Sequence, residues 1–250
     1  MSRELEGRVA LVTGAARNIG RAIALELAAG GAAVILNTRN ALGEVEALAA
    51  EIENSGGKAL VHAADVSVPA AVAGLVSAGV DRFGRLDILV NNAAIRRETP
   101  FEDLDFAAWR EVLSVILDGA YLCAHAATPH LKASDAGAIV NIGGMSAHAG
   151  SANRAHVIAA KAGVVGLTRA LAHDLGPDGV TVNCVSPGLI ETVRGSSTDG
   201  QPEHHAKRQT LIGRRGQPDE VAKMVRYLCG PGARYVTGQT LHVNGGAYLP

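Results

Sequence analysis

A glycine-bearing turn, Thr13-Gly14-Ala15-Ala16-Arg17-Asn18-Ile19-Gly20, follows the apolar run Val9 to Val12 and opens into a helical segment at Arg21. Glycines placed there let backbone N–H groups and the positive end of a helix approach a pyrophosphate. Alone the pattern is weak, since glycine also serves strand-to-helix turns for conformational reasons. The next strand ends in Asn37-Thr38-Arg39. An acidic side chain at that point would accept hydrogen bonds from the ribose 2′-hydroxyl of NAD, and Thr38-Arg39 supplies none. Arg39 together with Arg17 offers guanidinium forks for a 2′-phosphate, so NADP(H) is expected in preference to NAD(H). The competing reading makes both arginines ordinary surface charges.

Acid–base chemistry is offered chiefly by histidine, which titrates near neutrality. His148 stands two residues after Ser146, and His156 follows Arg154 in the same stretch. His204-His205 lacks a third ligand at a definite spacing, and no metal is expected there. His125 and His130 read as surface or interface residues. The cysteines, Cys123, Cys184 and Cys229, are odd in number and show no CxxC spacing, so neither a disulfide framework nor a zinc knuckle is suggested.

These groups need a scaffold, and the chain spells one. Short apolar runs recur at Val9 to Val12, Ala33 to Leu36, Ala59 to His62, Leu86 to Asn91, Ala138 to Ile142, Val180 to Val185 and Thr240 to Val243. Helically spaced segments lie between them, among them Arg21 to Ala29, Ala41 to Asn54, Phe106 to Leu131, Ala159 to Leu175 and Asp219 to Leu228. Strands alternating with helices imply parallel crossovers, hence a buried sheet covered on both faces. The 250 residues, 48% hydrophobic, suit one such domain over 1–250 and exclude disorder. With 23 Lys+Arg against 24 Asp+Glu there is no basic field for nucleic acid or anionic lipid, so small-molecule partners are expected. No uninterrupted run of about 18 apolar residues occurs, and the charged amino terminus does not read as a signal peptide, so a cytoplasmic location is expected. Residues 191–217 lack clear periodicity and are expected to form a lid-like insertion or a long surface loop.

In this arrangement the chain resembles the short-chain dehydrogenase/reductase family, whose fingerprint is Thr-Gly-x-x-x-Gly-x-Gly. Further matching motifs are Asp65-Val66 after the third strand, Asn91-Asn92-Ala93-Ala94 after the fourth, and Pro187-Gly188 with Ile190 and Thr192 after the sixth. Val236-Thr237-Gly238-Gln239 and Val243-Asn244-Gly245-Gly246 close the series. The resemblance spans nearly the whole chain and implies a single-domain Rossmann fold, α/β, with a doubly wound seven-stranded parallel sheet. It also implies that Gly14, Arg17, Asn18, Ile19, Gly20, Thr38, Arg39, Asp65, Val66, Asn92, Ala93, Lys161, Pro187, Gly188, Ile190 and Thr192 hold the cofactor. One departure is Asn18, which stands at the usual middle glycine; asparagine tolerates left-handed backbone better than other non-glycine residues.

The family also carries an Asn-Ser-Tyr-Lys set, and here the match breaks. Lys161 stands at the lysine position, while Val157 takes the place of the tyrosine, Gly144 that of the serine and Ile116 that of the asparagine. In the family the tyrosine exchanges the substrate proton, the serine orients the carbonyl oxygen, the asparagine helps hold a water relay, and the lysine lowers the tyrosine pKa and holds the nicotinamide ribose. Val157, Gly144 and Ile116 do none of these. His148 and Ser146 are the favoured surrogates, with Arg154 as an oxyanion stabiliser.

The expected function is therefore an NADP(H)-dependent oxidoreductase acting on a carbonyl or alcohol, similar in pattern to 3-oxoacyl-carrier-protein reductases, with weak or non-standard catalysis. Two alternatives remain. One is a nicotinamide-nucleotide-binding protein, a sensor or assembly subunit; the other is a non-redox enzyme on the same scaffold, as in halohydrin dehalogenases. The long Phe106 to Leu131 and Ala159 to Leu175 helices are apolar around much of their circumference, so a homotetramer or homodimer is expected.

Overall fold

A computed structural model describes residues 3–192 and 209–250. Seven parallel strands form one sheet in the order β3-β2-β1-β4-β5-β6-β7. They are β1 (Val9–Val12), β2 (Ala33–Thr38), β3 (Lys58–Ala63), β4 (Ile88–Asn91), β5 (Ala138–Ile142), β6 (Thr181–Pro187) and β7 (Thr240–Val243). The seven expected strands are all present, most of them one or two residues longer or shorter than the apolar run.

Alternation along each strand divides the core between two faces. Ala10, Val12, Val34, Leu36, Ile88, Val90, Val140 and Ile142 meet α1 (Asn18–Ala29), α2 (Leu42–Asn54) and the late helix Pro218–Cys229. Val9, Leu11, Ile35, Leu89, Ile139 and Val182 face the other way, onto α3 (Pro69–Phe83), onto Cys123, Ala124, Ala127 and Leu131 of the helix Gly119–Ala133, and onto Leu175 of the helix Ala155–Leu175. Both faces are covered by apolar side chains of the helices, as a doubly wound sheet requires.

The expected helix Phe106 to Leu131 is interrupted. It divides into α4 (Phe106–Leu113), a π-helical turn (Ser114–Asp118) that contains Ile116, and α5 (Gly119–Ala133). One residue too many per turn shifts the register, which periodicity alone does not reveal. Beyond β5 come a short α6 (Ser146–Ala149) and the long α7 (Ala155–Leu175); the late helix Pro218–Cys229 is α8. Two stretches, Phe106–Ala133 and Ala155–Asp178, are long and apolar enough to cross a membrane by length and composition alone. Their inner residues pack on the sheet and on each other.

The strand order reverses between β1 and β4, because β2 and β3 lie to one side and β5 to β7 to the other. In an open parallel sheet this leaves a crevice at the carboxyl ends, where ligands bind. Of the expected lid, Glu191 donates its N–H to Gly216 O at 2.8 Å, and Ile190 bridges to Gly216. Residues 193–208, with His204-His205, lie outside the described residues.

Candidate active site

The glycine turn sits at the β1 end of the crevice. Gly14 has φ +62° and Asn18 φ +52°, so asparagine adopts the left-handed conformation expected of it. A Cβ on Gly14 would lie 2.9 Å from Ala93 Cα, and one on Gly20 would strike Gly14 O and approach Asn92 Nδ2 to 2.5 Å. The turn therefore has room for backbone only. Asn92 Nδ2 donates to Thr13 O and Gly14 O, each at 2.9 Å, while Thr13 Oγ1 accepts the N–H groups of Asn92 and Ala93 at 3.0 Å. Asn92 thus acts by fixing the turn, and Asn37 supports it from β2, receiving the Gly14 N–H at 3.4 Å. Arg17, at the N-cap of α1, caps none of the first-turn N–H groups with its side chain, which leaves donors of the kind an anion takes up. The cradle fits a dinucleotide pyrophosphate.

Both arginines at the ribose end already touch carboxylates. Arg17 makes a two-pronged pair with Glu44, and Arg39 Nη1 lies 3.6 Å from Asp65 Oδ2. Burial would raise the Asp65 carboxyl, but the Ser67 N–H and hydroxyl, at 2.9 and 2.6 Å, and the Arg39 charge outweigh it and hold the group below its usual range. Ile19 and Val66 are buried packing residues, with Val66 against Gly119. Gly188 donates to Val243 O at 2.9 Å and passes so close to Asn244 that a Cβ would lie 2.6 Å from its Cα. Pro187 ends β6, Ile190 is buried, and Thr192 is the last described residue before 193–208.

At the far side of the crevice, Lys161 reaches from α7 to donate Nζ–H to Ile142 O at 2.5 Å. It is only 9% exposed, and loss of solvent draws its pKa down to about 8 despite the opposing pull of Cys184. Arg96 and Arg154 push in the same direction as burial. Val157, one turn earlier, is buried with Ile116, Val112, Ala120, Ala160 and Val164 in a small apolar cluster. Two positions where the resemblance places polar reacting groups are thus filled by mutually packed aliphatic side chains. Gly144 is the reverse case, with nothing within 4 Å of a Cβ built on it.

Ser146 and His148 lie in α6. The His148 ring packs edge-on against His242, centroids 4.7 Å apart, and beside Tyr248 at 5.8 Å. Burial first, and the Arg169 charge second, lower its pKa and favour the neutral ring. Arg154 caps α7, so it leads the face that carries Val157 and Lys161. His156 is fully buried, with no partner for either ring nitrogen.

Sequence reasoning missed a buried polar chain behind the site. Asn91 Nδ2 donates to Asn141 Oδ1 at 2.9 Å, and Asn141 Nδ2 donates to Thr168 Oγ1 at 2.9 Å. The signal was an asparagine inside the otherwise apolar run Ile139-Val140-Asn141-Ile142. The His242–Tyr248 contact had no signal in the sequence. Among the described residues no group of three or more His, Cys, Asp or Glu is placed to hold a metal ion.

The profile of the family described as enoyl-(acyl carrier protein) reductase matches residues 14–248. The chain belongs to the short-chain dehydrogenase/reductase family. It is 40% identical over 246 residues to the 3-oxoacyl-[acyl-carrier-protein] reductase of a Synechocystis species, covering 98% of both chains. A subunit of (2S)-[(R)-hydroxy(phenyl)methyl]succinyl-CoA dehydrogenase from Thauera aromatica is also 40% identical, over 245 residues and 98% of each chain. Among solved members of this family, a short-chain dehydrogenase from Burkholderia cenocepacia in complex with NADP superposes with a TM-score of 0.91. It is 37% identical, with 98% of this chain and 99% of that one covered. This chain is accordingly a short-chain dehydrogenase/reductase of the oxidoreductase class, similar to 3-oxoacyl-carrier-protein reductases.

Proposed function

We propose that the protein is an NADP(H)-dependent oxidoreductase for a carbonyl or alcohol substrate, 3-oxoacyl-reductase-like, with weak or non-standard proton transfer. The observation that carries this is that the backbone-only turn of Gly14, Gly20 and Asn92 and the buried Lys161, held on the last residue of β5, both lie at the carboxyl ends of the parallel strands. The Burkholderia relative with bound NADP supports the cofactor assignment. When bound, the nicotinamide supplies the hydride chemistry. The chain's part is to seat the pyrophosphate on the α1 end, to offer Arg39 and Arg17 near the ribose, and to hold the ribose with Lys161. Ser146 and His148 are the proposed surrogates for the serine and tyrosine. General acid catalysis contributes roughly 10² to 10⁴ in rate, so its loss slows the reaction without abolishing it.

That Ile116 and Val157 both lie in one buried apolar cluster favours a second reading, a nicotinamide-nucleotide-binding subunit without turnover. The Thauera relative, named as a subunit of a dehydrogenase, is consistent with it. Titration with NADPH by calorimetry, followed by a ketone and 3-oxoacyl panel monitored at the nicotinamide absorbance, separates the two. Binding with turnover supports the enzyme, binding without turnover the subunit, and absence of binding overturns both. We further propose a homo-oligomer, tetramer or dimer, in the cytoplasm; a 25.6 kDa particle by light scattering at micromolar concentration would refute the assembly.

A further inference from the structure

Three rings from separate segments meet at the carboxyl ends of the strands: His148 of α6, His242 of β7 and Tyr248 beyond it. The two imidazoles stand edge-on with centroids 4.7 Å apart, and the Tyr248 ring lies 5.8 Å from the first and 5.3 Å from the second. The register of β6 and β7 sets Ser186 opposite His242 on the same face of the sheet. His148 Nε2, His242 Nδ1 and Ser186 Oγ are all buried without a hydrogen-bond partner. The 244–250 segment that carries Tyr248 also reaches the far rim of the crevice. Asn244 Nδ2 donates to Tyr248 O at 2.8 Å and closes the segment into a loop, Ile212 N–H donates to Gly245 O at 3.2 Å, and a Cβ on Gly246 would lie 2.7 Å from Leu211.

A neutral edge-on pair is favourable, because the positive edge of one ring meets the face of the other. A proton reverses this. An imidazolium carries N–H on both nitrogens, so the buried nitrogen of either histidine would become a charged donor with no acceptor. The groups around the rings supply no counter-charge. Among the described residues no carboxylate oxygen lies within 4.0 Å of either ring. Arg169 of α7 acts against protonation of His148. From β6 come Ser186 and Cys184, a thiol that burial pushes up to about 11 and so leaves neutral. The Tyr248 face offers a cation some compensation but no acceptor. Both histidines are held below their ordinary 6.5, His148 by burial and then Arg169, His242 by burial and then His148.

We propose that His148, His242 and Tyr248 form an acid-sensitive clasp: with both histidines neutral it holds the 244–250 loop against α6, and protonation of either one opens it. Opening also frees residues 210–212, which are bonded to that loop, so the rim of the crevice loosens in acid. The open form takes up protons at the ordinary histidine value and the closed form resists them. The closed clasp is therefore fully stable above pH 6.5 and weakens as pH falls below it, each histidine raising the opening constant by up to about tenfold per pH unit.

The test is hydrogen–deuterium exchange read by mass spectrometry at pH 5.5 and pH 7.5, corrected for the chemical exchange rate, with residues 138–142 of β5 as the reference. Wild type is compared with His148→Phe and His242→Phe, which keep a ring and lose the charge, and with Tyr248→Ala. In wild type the N–H groups of 244–250 should exchange at least about tenfold faster at the lower pH while β5 is unchanged. Each Phe variant should cut that acid response severalfold, and Tyr248→Ala should exchange fast at both pH values. If one Phe variant fails to fold, the other still reports. No acid response in wild type, or a response that survives in every folded Phe variant, overturns the proposal. So does a response shared by β5, which would be global unfolding, or one that changes with protein concentration, which would be dissociation of an oligomer. The measurement needs no NADPH, and it decides the clasp whether or not the oxidoreductase reading stands.

Discussion

Replacing Gly144 by serine and Val157 by tyrosine should raise turnover of ketone or 3-oxoacyl substrates well above the wild-type rate. The two substitutions meet different surroundings. Serine at 144 enters open space, with no atom within 4 Å of its Cβ and no left-handed backbone to strain. Tyrosine at 157 enters a site that is 3% exposed and filled by Ile116 and its neighbours, so overpacking should cost about 1 to 3 kcal/mol. For a chain of 250 residues each kcal/mol lowers Tm by about 2 to 4 °C, a loss that a folded protein tolerates. Against this stands the return of a general acid, worth about 10² to 10⁴ in rate or about 3 to 5 kcal/mol of barrier. The phenol would lie one helical turn from the Lys161 ammonium, which lowers its pKa. Adding Ile116→Asn relieves part of the crowding. The assay is steady-state NADPH oxidation by wild type, both singles, the double, the triple and His148→Ala, with NADPH affinity and Tm measured on each. A folded, NADPH-binding double mutant no faster than wild type refutes the reasoning. A fast wild type silenced by His148→Ala shows that His148 is the acid.

Arg39→Asp should invert a preference for NADPH over NADH, since it removes a cation and supplies the ribose acceptor; calorimetry giving an unchanged ratio would remove the argument. Gly20→Ala forces a Cβ against Gly14 O and Asn92, and should weaken NADPH binding at least about tenfold; unaltered affinity would mean the turn is not the phosphate cradle. Burial holds Lys161 down to about 8, so between that pH and its ordinary 10.5 the unfolded chain binds a proton that the folded protein has released. Stability from this group therefore rises with pH across that window, and below it a buried ammonium costs about 3 kcal/mol. Lys161→Met should exceed wild type in urea-unfolding stability at pH 7 and lose that advantage toward pH 10; a pH-independent difference contradicts it.

The sheet was legible because its central strands are short, apolar and buried, which leaves apolar runs such as Val9 to Val12 and Ala138 to Ile142. Residues Pro69–Phe83 form a helix that the apolar pattern did not single out, although Pro69 at its start and left-handed Gly84 at its end are the usual terminators. The π turn at Ser114–Asp118 was not legible, because one extra residue leaves composition unchanged. The turn after β1 was readable for a different reason: Gly14 has left-handed backbone and neither Gly14 nor Gly20 has room for a Cβ, a need that shows in sequence as glycine. That the Asn92 amide braces the turn by donating to Thr13 O and Gly14 O is a detail only coordinates provide.

The reacting end depends on side chains, and there the structure adds what one-dimensional matching lacks. Ile116 and Val157 lie far apart in sequence yet pack in one cluster with Ala120, Ala160 and Val164. A larger or polar residue at either position must be accommodated in the same small buried cluster, so a change at one alters the room and packing available at the other. The two aliphatic residues therefore stabilise each other's presence. Gly144 belongs to no such pair, since it borders open space. Its substitution is thermodynamically independent of the cluster, and the effects of Gly144→Ser and Val157→Tyr on stability should add, whereas those of Ile116→Asn and Val157→Tyr should not. A double-mutant cycle in urea unfolding measures both. Additivity between positions 116 and 157 would mean that their contact does not couple them, and the account of why both polar groups are missing together would fall.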